Sequence, residues 1–153
     1  MPIESNFGEF IKKQRQLMAD LSSDKILRQA AFDSVVLISD RVQQRGEKVS
    51  GQKMRNKKKG IYSKYYAKKR EKEGRQTAYV DLTMTGDMMD NLIPQANGDG
   101  QYIVGFAGKS ASDKAEYSEL YYGSIFQLSE QEQNQVFKQI TDSTNEAIRR
   151  YSI

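Results

Sequence analysis

The chain has 153 residues, 37% of them hydrophobic and 29% charged, with 24 Lys and Arg against 20 Asp and Glu. It contains no His, Cys or Trp, which excludes Ser–His–Asp triads, Cys–His nucleophilic pairs, the usual Cys/His zinc sites and any disulfide. A mean hydropathy of −0.77 is low for a compact domain, so the chain reads as a single soluble domain over residues 1–153 with extensive polar surface, and not as an enzyme.

Phe7, Phe10, Ile11, Leu17, Met18 and Leu21 fall at helical spacing and predict an amphipathic N-terminal helix or arm within residues 1–22. Ser23 suits the N-cap of a long second helix running from Asp24 to about Glu47. Its apolar stripe is Leu27, Ala31, Val35, Ile38 and Val42, with Arg28, Asp33, Asp40, Arg41 and Gln44 away from it, and Gly46 as C-cap. The longest apolar run, Val35-Val36-Leu37-Ile38, is too short for a membrane span, and the first residues lack a signal-peptide pattern.

Residues 49–77 read as an insertion. Val49–Gly60 is a basic loop with almost no apolar content, kept extended by its like charges. Ile61–Glu73 returns to helical spacing, with tyrosines (Tyr62, Tyr65, Tyr66) and lysines (Lys64, Lys68, Lys72) on separate stripes and Gly74 closing the helix. Between Arg41 and Arg75 lie 14 Lys and Arg against Glu47, Glu71 and Glu73, a net +11 that leaves −7 for the rest of the chain. Such a polarised chain suits a polyanion, an acidic protein surface, or the acidic face of another copy.

Ala78–Thr83 alternates apolar and polar residues and is expected to be extended. Thr85 is expected to cap a short helix Asp87–Leu92 that Pro94 ends. Asn97-Gly98-Asp99-Gly100 is a turn signal between strands at about Ile93–Ala96 and Gln101–Ala107. Ser110 or Ser112 should cap a helix through Tyr121. Ser129-x-x-Glu132 is a capping box that opens a last helix with the stripe Val136, Phe137, Ile140, Thr144, Ala147, Ile148 and Tyr151. The fold class is α+β: long amphipathic helices on a small antiparallel sheet with a β-hairpin, a helical insertion and a C-terminal helix.

Three constellations bear on chemistry. Gly105-Phe106-Ala107-Gly108-Lys109-Ser110 ends like a phosphate-binding loop, but Ile103 stands where that loop needs its first Gly, so a plain strand-to-helix turn is expected. Asp81, Asp87 and Asp90 could assemble a divalent-metal site; the helix-start position of Asp87 favours a structural role instead, and no metal or cofactor is expected. Lys53, Arg55, Lys57, Lys58, Lys59, Lys64, Lys68 and Lys72 form the candidate surface for DNA or an acidic partner. The neighbouring tyrosines read as packing residues, with stacking on unpaired bases as the alternative.

In their order, the long second helix, Thr85-Gly86 with Met88 and Leu92, the hairpin step Val104-Gly105-Phe106 and Phe126-Gln127-Leu128-Ser129 leading to Glu132 resemble the tail-completion and virion-morphogenesis proteins of tailed phages. The resemblance covers about Asp24 to Tyr151 and rests on the joint order of these weak motifs. The chain departs from that family in the inserted Val49–Thr77 and in a reduced aromatic-Gly segment, Tyr121-Tyr122-Gly123. The resemblance implies a non-catalytic virion protein, made in the host cytoplasm, that forms a homo-oligomeric ring at the head–tail junction. Its implied partners are a portal or adaptor protein, a tail protein, and packaged DNA contacted non-specifically in the lumen, with no membrane. The competing reading is a small nucleic-acid-binding protein using residues 49–75 as a phosphate-contacting arm.

Overall fold

The structure, a computed structural model, describes residues 7–22, 24–55, 60–98 and 100–151. Helices α1 (Phe7–Ser22) and α2 (Lys25–Asp40) are followed by a π-turn (Arg41–Arg45), α3 (Lys64–Lys72), α4 (Asp87–Asp90), strands β1 (Leu92–Ala96) and β2 (Tyr102–Phe106), α5 (Lys109–Tyr122) and α6 (Glu130–Tyr151). Among the described residues about 61% are helical and there is one two-stranded antiparallel sheet, the expected α+β class. α1 lies along α6, α6 along α2, and α2 carries the hairpin.

α2 is buried through Ala30, Ala31, Ser34 and Ile38, and Val42 in the π-turn continues that face. Leu27, the first residue of the expected stripe, stays 44% exposed. The expected cap Ser23 lies outside the described residues. Gly46, with φ of +63°, closes the helix and donates to the carbonyl of Val42. Arg41 corrects the sequence reading: three residues after Ile38, it shares the core face and is only 3% exposed. Its Nε donates to Glu132 Oε1 (2.9 Å), Nη1 to the Ile125 carbonyl (2.9 Å) and Nη2 to the Gln127 carbonyl (2.6 Å).

That guanidinium joins the end of α2 to the start of α6. There the capping box forms as expected: the Glu132 amide donates to Ser129 Oγ (3.3 Å) and the Ser129 amide to Glu132 Oε2 (2.7 Å). Burial pushes the Glu132 carboxyl up, but donation from Ser129 and Arg41 outweighs it and holds the group below its ordinary value of 4.5. A carboxyl depressed in the folded state contributes stability above its unfolded value and loses it as pH falls through the folded one. Wild-type melting temperature should therefore decline progressively from about pH 5 downward. Glu132→Gln should melt lower at pH 7, by about 1.5–3 kcal/mol for a lost charged hydrogen bond, with a flatter profile between pH 5 and 3. Equal slopes for the two proteins would show that this carboxylate is not linked to folding.

The basic loop is not uniformly solvated. A bridge between Glu47 and Lys53 and the bonds from Lys48 N to the Gln52 carbonyl and from Met54 N to the Gly46 carbonyl fold residues 46–54 into a tight reversal. Its one long apolar side chain, Met54, enters the core at 1% exposure beside Ile38, Val42, Val80 and Ile125. Ala78–Thr83 is not a strand: Leu82 adopts φ of +52°. Side chains serve its backbone instead, Gln76 bonding both the amide and the carbonyl of Tyr79 while Tyr62 receives the Asp81 amide.

The hairpin pairs Leu92 with Phe106, Ile93 with Gly105, Pro94 with Val104, Gln95 with Ile103 and Ala96 with Tyr102. Leu92 thus belongs to β1 rather than to the preceding helix, and Pro94 sits inside an edge strand, where a missing donor is tolerated. Alternation sends Leu92, Val104 and Phe106 toward the core and Ile93, Gln95 and Ile103 outward. α5 starts at Lys109 with Gly108 as its N-cap, so Ser110 and Ser112 fall inside the first turn instead of capping it. On α6 the expected stripe is partly buried except at Phe137, 71% exposed, and Ile148, 41% exposed.

Candidate partner-docking surfaces

α3 is positioned by one buried arginine. Ser63 caps the helix, its Oγ accepting from the Tyr66 amide, and helical spacing turns Tyr66 and Arg70 to the same side. Arg70 is 1% exposed. Its Nη2 donates to both carboxylate oxygens of Asp81 (3.0 and 2.8 Å), Nη1 to the Thr83 carbonyl (3.0 Å) and Nε to the Gln76 carbonyl (2.9 Å). The guanidinium also lies 4.8 Å from the Tyr62 ring centre. Asp81, a candidate metal ligand in the sequence, is thereby spent on an ion pair. Asp87 is engaged by the Thr85 hydroxyl at the start of α4.

With Arg70 inward, the opposite side of α3 is basic. Lys64, Lys68 and Lys72 are exposed there, with Lys69 beside them and Tyr65 at 81% exposure. Among the described residues none of these lysines makes an ion pair. Lys53 differs: it is tied to Glu47 (3.1 Å) and the Arg45 carbonyl (2.6 Å) on the 46–54 reversal. Arg55 is exposed; Lys57, Lys58 and Lys59 lie outside the described residues. Two of the 14 basic side chains in this stretch, Arg41 and Arg70, are thus core ion-pair partners rather than surface charges.

A second surface is the outer side of the hairpin, where Ile93 is 38% and Ile103 53% exposed around the bare Gly105. Both strands pair only with each other, so each keeps one unpaired edge among the described residues.

The third is a cleft of about 940 Å³ between the insertion and the rest of the molecule. Tyr62 and Tyr66 form one wall, Val80 and Met88 the floor, and Tyr117 and Tyr121 the facing wall on α5. Thr85 and Gly86 stand at its edge. Burial, with the neighbouring Asp81 carboxylate second, raises Tyr62 above its ordinary value; burial also raises Tyr122, so both hydroxyls stay protonated.

The remaining motif residues are structural. Leu92 is core, Phe106 and Phe126 meet edge-to-face at 4.7 Å, Leu128 is half-buried and packed against the core, and Ser129 and Glu132 form the cap. Gly105-to-Ser110 is a strand-to-helix turn. Arg70 and Tyr117 were not singled out by the sequence, Arg41 was placed away from the core stripe, and Tyr121 and Tyr122 were read only as a reduced aromatic-Gly segment. The Tyr62–Tyr66–Arg70 spacing was the available signal for Arg70, since it places the arginine on the tyrosine stripe. Among the described residues no helix is long and apolar enough to cross a membrane, and no group of three or more acidic residues could hold a metal. No protein-family model, curated protein or solved structure matches the chain.

Proposed function

We propose that the chain is a structural subunit of the tailed-phage head–tail junction, assembling as a ring and docking between a portal or adaptor protein and the tail. The observation that carries this reading is the hairpin: two strands whose outer edges are unpaired among the described residues, with Ile93 and Ile103 exposed on the outer face. An isolated two-stranded sheet is marginal, and an open edge is a template for another chain's strand. The order of motifs from Thr85 to Glu132 supports the specific assignment to the neck of the particle.

Light scattering and negative-stain imaging of the purified protein test it. Rings or salt-stable oligomers are expected for wild type, and Ile103→Lys should shift the mass to monomer with the melting temperature unchanged within about a degree, as for a surface substitution. A wild-type protein that stays monomeric at high concentration would sink the ring assignment.

A second reading, the nucleic-acid-binding protein, is favoured by Tyr65 standing exposed among Lys64, Lys68, Lys69 and Lys72. Lysines can track phosphates around an aromatic that stacks on bases. Its signature is a monomer whose DNA affinity falls steeply with salt, by about 0.9 log units per phosphate contact on duplex DNA.

A further inference from the structure

We propose that β2 pairs with β2 of a second copy of this chain, antiparallel about a two-fold axis at Val104. The proposal goes beyond the ring and does not rest on it, because pairing about a two-fold is complete at two copies.

The hairpin register decides which edge is open. Asn97 and Gln101 are bonded at 2.9 Å and Ala107 and Asn91 at 2.8 Å, one pair beyond each end of the ladder. Antiparallel pairs alternate between bonded and non-bonded, so Ile93–Gly105 and Gln95–Ile103 hold the hairpin together. Leu92, Pro94 and Ala96 therefore turn their backbone groups onto the outer edge of β1, and Tyr102, Val104 and Phe106 onto that of β2. The two edges are unequal. Pro94 has no N–H and sets its ring at the middle of the β1 edge, where it obstructs an incoming strand. The β2 edge keeps all three donors and acceptors, and none of them makes another backbone bond among the described residues.

The same register makes a second copy the fitting occupant. Centred on Val104, β2 against β2 sets Tyr102 opposite Phe106 and Val104 opposite Val104, so all three outward residues of each copy exchange bonds. On the outer face it sets Ile103 of each copy opposite Gly105 of the other. Ile103 is 53% exposed, and the position a Gly105 side chain would take has nothing within 4 Å. Each isoleucine thus covers the bare glycine of the other copy, as a cross-strand side chain compensates a strand glycine. Neither strand carries a charged residue, so two copies meet there without the like-charge repulsion that usually guards an edge.

The chain has no cysteine, so introduced ones read the register. Ile103→Cys and Gly105→Cys stand at exposed or open positions and should fold like wild type. Oxidised as an equimolar mixture, they should give a disulfide-linked heterodimer in clear excess over either homodimer. Directly opposed residues lie about 4.5–5.5 Å apart, whereas diagonal ones lie about 7–8 Å apart, past the reach of a disulfide. In analytical ultracentrifugation Val104→Pro, which removes an outward donor but no hairpin bond, should weaken association about tenfold. Ala96→Pro, on the β1 edge, should leave it unchanged. Indiscriminate disulfide pairing would overturn the proposal, as would a strictly monomeric wild type or an association that Ala96→Pro disrupts and Val104→Pro does not. A wild type of two copies with the mixed disulfide supports this pairing and counts against the ring, whereas rings without that disulfide overturn the pairing alone.

Discussion

Replacing Arg70 by Met should destabilise the protein by about 3–5 kcal/mol, the cost of leaving one member of a buried ion pair without its partner. For a chain of this size that corresponds to a fall in melting temperature of about 6–20 °C, at 2–4 °C per kcal/mol. The methionine fills much of the arginine's volume, so the loss arises mainly from the Asp81 carboxylate, which is 6% exposed and keeps only the donors Gln76 Nε2, the Thr83 amide and the Tyr62 hydroxyl. The carbonyls of Gln76 and Thr83 lose their partners at the same time. Arg70→Lys retains the charge but cannot reach three acceptors from one planar group, so it should fall between wild type and Arg70→Met. Denaturant unfolding of the three proteins, with hydrogen exchange across α3, reads both the total cost and its location. If Arg70→Met stays within 1 kcal/mol of wild type, the helix is held by its tyrosines and the ion pair is incidental.

The same residue shows where sequence reading stops. Helices whose signal is a long apolar period or a local cap were legible. The Ser129–Glu132 box forms with both of its reciprocal bonds, and the Asn97–Gly100 turn joins the strands it predicted to within one residue. Elements whose conformation depends on a distant partner were not. Ala78–Thr83 has strand alternation, yet Gln76, Tyr62 and Arg70 occupy its backbone groups and no strand lies beside it among the described residues. Val49–Gly60 looks almost uniformly polar because Val49 and a single methionine are its whole apolar content, and that methionine is core. Charge was the most misleading signal. Arg41 and Arg70 counted toward a basic surface, but each sits on a helical core face opposite a carboxylate 91 and 11 residues away, a separation that no local pattern encodes.

The candidate surfaces divide along the same line. The lysine stripe of α3 was readable because period alone puts Lys64, Lys68 and Lys72 together. The cleft was not, because its walls come from residues 61–70, 80–88 and 113–122, of which the Arg70 network joins the first two. Any variant that frees α3 should therefore open the cleft as well as unsettle the basic face, so in Arg70→Met faster exchange across α3 and altered exposure of the cleft tyrosines should appear together.

Gly46→Ala is the second substitution expected to be severe, at about 2–5 kcal/mol. The residue sits at φ of +63° and ψ of 36°, a left-handed conformation that costs a side-chain-bearing residue about 1–2 kcal/mol. An added Cβ would lie 2.8 Å from both Tyr79 Cδ2 and the Val80 carbonyl oxygen. That oxygen cannot swing away as a side-chain tip could, because Val80 is core at 2% exposure, and overpacking of this kind adds about 1–3 kcal/mol. Gly86→Ala is the matched comparison. At φ of +96° it is also strained, but the nearest obstacle is the Asp90 carboxylate oxygen at 3.0 Å on an exposed side chain that can rotate off. It should lose about 1–2 kcal/mol, close to the backbone cost alone. The difference has a structural consequence, because the Gly46 carbonyl receives the Met54 amide at 2.8 Å. Displacing Gly46 withdraws Met54 from the core and loosens the base of the insertion, so Gly46→Ala should also raise hydrogen exchange at residues 47–54, which Gly86→Ala should leave protected. Equal losses for the two variants would mean that the close approach to Val80 is relieved at no cost, and that the end of α2 is free to move relative to the segment beneath it.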